Sequence, residues 1–191
     1  IYFYAMMYDP SPDSILRELS KRDNVFFGPN TDAFGVLIDA WRDGRHAMFF
    51  GISAAGVQAD TRIYGEEDFD DSWNVVWESK VKILSNGWFA EIKIPYSAIR
   101  FPETEVQEWG VNFGRQIKRY NEFSNWQYVN PAIQGFIHQS GILKLPGKID
   151  APLRLSFSPY VSAYADNYEG RNSYVFNGGA DLKYGINESF T

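Results

Sequence analysis

No cysteine occurs among the 191 residues. A disulfide framework, a thiol nucleophile and a zinc–thiolate site are therefore excluded. Histidine is nearly as scarce: the 2 copies, His46 and His138, are isolated, and no Ser-His-Asp or H-E-x-x-H arrangement exists. No run approaches the roughly 20 apolar residues of a transmembrane helix. A membrane-spanning strand remains open, since its signal is only a weak alternation. Positive charge is the minority sign, with 18 Lys and Arg against 24 Asp and Glu. That balance argues against nucleic acid, whose phosphates attract a basic patch. Helix signals are few. "DSILRELSKR" (13–22), with Asp13 or Ser14 as cap and Ile15, Leu16 and Leu19 at helical spacing, predicts one short helix. "YSAIRF" after Pro95 predicts a single turn.

What the chain has instead is aromatic residues, 17% of the total, and alternation of period two. In "DAFGVLIDAW" the side chains of Phe34, Val36 and Ile38 share a face, and "HAMFFGIS" is apolar on both faces, as a central strand requires. Trp73, Val75, Trp77, Ser79, Val81 and Ile83 form one stripe, a turn follows at Asn86-Gly87, and the chain returns as Trp88, Ala90, Ile92 and Ile94. The three tryptophans lie on the inward stripe of this hairpin and read as core. Trp109, Val111, Phe113, Arg115 and Ile117 outline a further strand. Pro146, Gly147 and Pro152 mark a linker. Beyond it, "LRLSFSPYVSAYADNY" and "YVFNGGADLKYGINESFT" alternate over lengths two to three times the usual strand of about five or six residues, with "EGRNS" between them as the turn. Ile1 already lies inside a strand-like pattern, and residue 1 reads as a point within a longer protein.

"YDPSPDSI", "SKRD", "DAFGVLIDAWRDGRHAMFFGIS", "DDSWNVVWE", "GWFAEIKIPYSAIRF", "WGVNFGRQIKRYNEFSNW" and "GADLKYGINESFT" follow one another in an order that resembles a bacterial family. Its members, common in Bacteroidota, are outer-membrane proteins. They join a family 9 carbohydrate-binding-module-like domain to a C-terminal β-barrel of the DUF5916 type. The chain departs from the family at Trp41, where a D-x-Y-x-D-x-R run more often has Tyr. The resemblance implies an all-β protein: a carbohydrate-binding-module-like β-sandwich over 1–149, followed over 150–191 by the first strands of an outer-membrane barrel. It implies one or two strands before Ile1 and many barrel strands after Thr191. It also implies a bacterial outer-membrane location, with the sandwich in the periplasm or barrel lumen.

For function, the expected role is non-catalytic binding of a glycan or polysaccharide. Two other classes stay open: a glycoside hydrolase-like enzyme whose active residues lie elsewhere, and a structural plug or docking module of an outer-membrane complex. Glycoside hydrolysis needs two carboxylates across a cleft; Glu78, Glu91 and Glu122 alternate with apolar residues, and nothing in the sequence pairs them. Trp41 and Trp126 sit beside polar, loop-like sequence and are candidates for stacking on sugar rings. Arg115, Arg119, Asn121 and Gln127 would supply directional hydrogen bonds to hydroxyls. The alternative for Arg115, Lys118 and Arg119 is ion pairing on a strand surface. The acidic loop "GEEDFDD" (65–71), with Asp60 nearby, could hold Ca²⁺ through Asp60, Asp68, Asp70 and Asp71 or be a solvated loop. No other cofactor is expected. The partners expected are a glycan, outer-membrane lipid and other outer-membrane proteins, and no nucleic acid.

Overall fold

The computed structural model describes residues 1–65, 68–150, 155–168 and 170–184. It is all-β and divides into two compact units, Ile1–Ala151 and Pro152–Thr191. The first contains ten strands: β1 (Tyr2–Tyr8), β2 (Ala33–Asp39), β3 (His46–Ser53), β4 (Gln58–Tyr64), β5 (Asp68–Asp70), β6 (Glu78–Leu84), β7 (Gly87–Lys93), β8 (Gln107–Ile117), β9 (Glu122–Asn125) and β10 (Gly141–Leu145). They form two antiparallel sheets. The smaller runs β1-β7-β6, and the larger runs β10-β8-β2-β3-β4-β5. β8 is long enough to carry two partners on one edge: β10 pairs with residues 107–111 and β9 with 114–117.

The sheets face one another across an apolar core, which makes the unit a sandwich. Phe34, Val36 and Ile38 of β2, Phe50 and Ile52 of β3, and Trp109 and Val111 of β8 meet Trp88, Ala90 and Ile92 of β7. These are the inward positions of the alternating stripes. Trp77 and Trp88 are buried, and Trp73 packs against the same core, edge-on to Phe50 at 5.9 Å. Trp73 and Trp77 precede the hairpin, since β6 begins at Glu78 and not at Trp73, but with Trp88 of β7 they hold the sheets together, as the stripe predicts.

Three local expectations change. Residues 13–22 form no α-helix. A 3-10 turn at Pro12–Ser14 is followed by extended chain, whose backbone bonds the 30–32 segment (Asp32 N to Leu16 O, 2.9 Å; Glu18 N to Asn30 O, 3.2 Å). Ile15 is buried while Leu19 is exposed, so the apparent helical stripe is not one buried face. "GEEDFDD" is not a free loop either: Asp68–Asp70 is a short strand, with Phe69 opposite Ile63 of β4. The hairpin turn lies at Ser85 and Asn86, because Leu84 pairs directly with Gly87. The single turn after Pro95 is present at Tyr96–Ala98.

The second unit contains β11 (Leu155–Tyr168) and β12 (Arg171–Tyr184), each 14 residues long and paired antiparallel over their full length. The second strand begins at Arg171, so most of "EGRNS" is strand and not turn. Residues directly opposite share a face. Leu155, Phe157, Val161 and Ala163 stand opposite Tyr184, Leu182, Gly178 and Phe176. Ser158, Ser162 and Asp166 stand opposite Asp181, Asn177 and Ser173. The register therefore gathers the apolar positions of both strands on one face and most of the polar ones on the other. Tyr160, Tyr164, Tyr168 and Val175 are exceptions on the polar face, and Tyr160 lies over Gly179, its cross-strand partner.

Candidate functional site

β9 has only four residues, and its alternation divides two depressions of the sandwich. Ser124 and the following Trp126 line a groove of about 340 Å³ between β1 and β8. Phe123 and Asn125 line a larger cleft of about 600 Å³ on the outer face of the large sheet.

The groove brings together two of the residues singled out from the sequence. Trp126 is 63% exposed. Its ring is held at 5.5 Å from Phe113 and lies directly over Gly141, where a Cβ would come within 2.4 Å of the indole. Only glycine permits that approach. Arg115 lines the same groove, and its Nε and Nη2 are buried without hydrogen-bond partners.

The other sequence candidates go elsewhere. Arg119 is mostly buried, pairs with Asp9 at 2.7 Å, and lies over the Tyr120 ring at 4.5 Å. Its ion pair is thus with an interior carboxylate and not across the strand surface. That bond holds the Asp9 carboxyl below its ordinary pKa, although burial opposes the shift. Burial pushes the neighbouring Asp32 up, against the hydrogen bond it accepts from Lys118 N at 3.0 Å. Lys118 Nζ donates to the Phe27 carbonyl. Asn121 is exposed and left-handed (φ 51°), ending the turn between β8 and β9. Gln127 is anchored through its backbone, which exchanges two hydrogen bonds with the Asn112 side chain. Trp41 is exposed and lines a separate shallow pocket with His46, Arg62 and Tyr64.

Of the four carboxylates named for calcium, two have other partners. Asp60 is fully buried and accepts from the Arg22 guanidinium, from Val75 N at 2.8 Å and from Trp77 Nε1 at 3.2 Å. Asp70 accepts from the backbone and hydroxyl of Ser72. Asp68 lies in β5, and Asp71 is exposed beside the large cleft. Among the described residues no group of three or more acidic or histidine side chains is placed to hold a metal. Glu66 and Glu67 of the same stretch lie outside the described residues. Asp60, with both oxygens engaged by donors, does not fit a calcium ligand.

Sequence reasoning passed over the large cleft because its walls are phenylalanines far apart in the chain. Phe26, Phe27, Phe49 and Phe123 form one cluster, with ring centroids 5.3 to 6.2 Å apart. Phe69 and Phe136 stack at 6.4 Å with planes 10° apart. The cleft floor is a row of three glycines. Gly35 of β2 stands opposite Gly51 of β3 and Gly114 of β8. A Cβ at Gly35 would meet Phe49 at 2.2 Å, at Gly51 Phe26 at 2.7 Å, and at Gly114 Phe123 at 2.8 Å. The rings thus rest on bare backbone. The spacing of "FGV", "FFG" and "NFGR" shows the glycines, but only strand pairing aligns them.

Neither the curated proteins nor the solved structures provide a match to the chain. One family model does match: DUF5916, described as a domain of unknown function, over residues 151–191, the stretch that contains β11 and β12.

Proposed function

We propose that the sandwich is a non-catalytic glycan-binding module, carried by a protein whose C-terminal strands enter an outer-membrane β-barrel. The observation that carries the binding part is Trp126: a broad, exposed indole, immobilised over Gly141 and Phe113, beside an arginine with unpartnered N–H groups. A sugar ring lays its C–H face on such a surface, and Arg115, whose charge also acts on the buried Asp9 and Asp32, makes the edge of the groove favourable to a hydroxyl or carboxylate. Two of the three carboxylates weighed for hydrolysis have other partners. Glu78 pairs with Lys93, and Glu122 accepts from Ser124.

A glycan array on the full chain tests this reading. Trp126→Ala is expected to abolish the array signal while shifting stability by about 1 kcal/mol or less, as exposed substitutions do. An array without signal for the wild-type chain, or an unchanged signal for Trp126→Ala, would remove the groove as a glycan site. A hydrolysis assay of the same glycans separates binder from enzyme.

The barrel part is supported by strand length and by the faces of the hairpin. Fourteen residues extend about 45 Å, more than the 9–11 tilted residues that cross a bilayer. An isolated two-stranded hairpin is marginal in water, and barrel closure supplies its missing edges. In the membrane-inserted protein, spin labels at Phe157, Val161 and Leu182 are expected to report lipid, and those at Ser158, Ser162 and Asn177 water. Labels on both faces reporting water would rule the barrel out and make outer-membrane lipid and outer-membrane partners unsupported.

A further inference from the structure

We infer that the phenylalanine cleft on the outer face of the large sheet is a second binding site, independent of the Trp126 groove, and that it takes a hydrocarbon moiety whose head group is neutral or cationic. Three observations carry this. The first is exposure: the rings at the cleft mouth pack on one another at the surface and not in the core. Phe27, Phe69 and Phe123 are exposed at the mouth of the cleft, Phe27 to 71%. Three exposed rings converging on one concavity of about 600 Å³ are unlike scattered surface apolars, and the volume falls within the ordinary range of small-molecule sites.

The second is how Phe27 is held. Its φ is +63°, a left-handed conformation that bulky residues avoid, and Asp23 in the same segment has φ +67°. The surrounding structure imposes this. Buried Gln116 accepts from Phe27 N at 2.9 Å, and Lys118 Nζ donates to its carbonyl at 2.8 Å. Backbone conformations of this kind cluster at binding and active sites, where the surrounding structure holds them, as these two hydrogen bonds do here. The glycine row adds to this: it lowers the sheet surface under Phe26, Phe49 and Phe123 and deepens the concavity.

The third is the polar content. Asn112, buried in the cleft wall, already has both amide atoms engaged by Gln127 and its neighbour Phe113, which leaves Asn125, on the exposed strand β9, as the open amide of the lining. Thr61 donates to a backbone carbonyl, and Asp60 is paired with Arg22. A sugar placed here would lose water from its hydroxyls and gain few partners. A hydrocarbon group loses nothing of that kind. Among the described residues the ionisable ones lining the cleft are all acidic; the Asp60 carboxylate turns to the opposite face of the sheet, to Trp77 Nε1, which leaves Asp23 and Asp71 to set the charge of the cleft. Arg22 pairs with Asp60 and lies 3.8 Å from Asp23, Asp71 has no ion pair among the described residues, and Lys118 is bound to the Phe27 carbonyl outside the lining. An anionic head group is therefore disfavoured.

The test uses the full chain and an alkyl diazirine carrying a trimethylammonium group, with photolabelled residues located by mass spectrometry. Labelling is expected at Phe27, Phe69 and Phe123. Hexyltrimethylammonium and hexanol should compete, and hexanoate should compete at least about tenfold less well at low salt, the gap narrowing as salt screens the carboxylates. Phe27→Ala and Phe123→Ala should each weaken labelling by about tenfold or more. Because Phe27 is exposed, Phe27→Leu provides a folded control that retains partial labelling. Labels confined to other surfaces, labelling indifferent to both alanine variants, or hexanoate competing as well as the cation would overturn the inference. None of these outcomes bears on the glycan array, so the two sites stand or fall separately.

Discussion

Trp88→Ala is expected to destabilise the sandwich by about 3–5 kcal/mol, the usual range for removing a large aromatic side chain from a core. Trp88 has no exposed surface and lies on the central strand of the small sheet, between Met7 of β1 and Ile83 of β6. Its loss opens a cavity that neither neighbouring strand can fill without breaking its own pairing. For a unit of this size the melting temperature should fall by about 6–20 °C. The indole N–H has no hydrogen-bond partner. Trp88→Phe therefore removes a buried polar group along with part of the ring, and it should cost clearly less than the alanine change. If Trp88→Ala melts like the wild type, the tryptophan is not the core residue that its burial makes it.

Asp60→Ala is expected to cost about 3–5 kcal/mol by a different route. Three donors converge on this carboxylate: the Arg22 guanidinium, the Val75 amide and the buried indole N–H of Trp77. Removing the acceptor leaves the two N–H groups unpaired, each costing about 1–3 kcal/mol, and breaks the ion pair. Asp60 in this way ties β4 to the 73–77 segment and to the Arg22 loop. Asp70→Ala, in the same acidic region, should cost much less, because Asp70 accepts only from Ser72, two residues away. The two substitutions also separate this role from metal binding. A calcium site shared by Asp60 and Asp70 would make both changes similarly damaging and would lower the melting temperature in excess chelator. The expected result is a large difference between the two variants and no change on chelation.

How far the site was legible in the sequence depended on the residue type. Trp126 and Arg115 were visible because an indole beside polar sequence and an arginine on an alternating strand stand out by chemistry. Their meeting in one groove depends on β9 folding back onto β8, with Ser124 opposite Arg115. Arg119 and Asn121 stood out for the same reason, yet one is held by Asp9, 110 residues away, and the other ends a turn. The phenylalanines of the cleft had no comparable signal. Each sits in an ordinary apolar run, and nothing local tells a ring that packs inward from one resting on a glycine row.

The sequence by itself determined the β class, the inward stripes of β2, β7 and β8, the core role of Trp77 and Trp88, and the two long C-terminal strands. All of these follow from period-two alternation, which a strand expresses locally as its side chains turn to opposite faces. The tertiary structure alone decided which outer face becomes a cleft, where Asp60 finds its donors, and why residues 13–22 stay extended. Each of these rests on partners brought together by strand pairing across long sequence separations. A helix competes only with what its own segment offers, and here the 30–32 segment offered backbone hydrogen bonds and a place for Ile15 in the core.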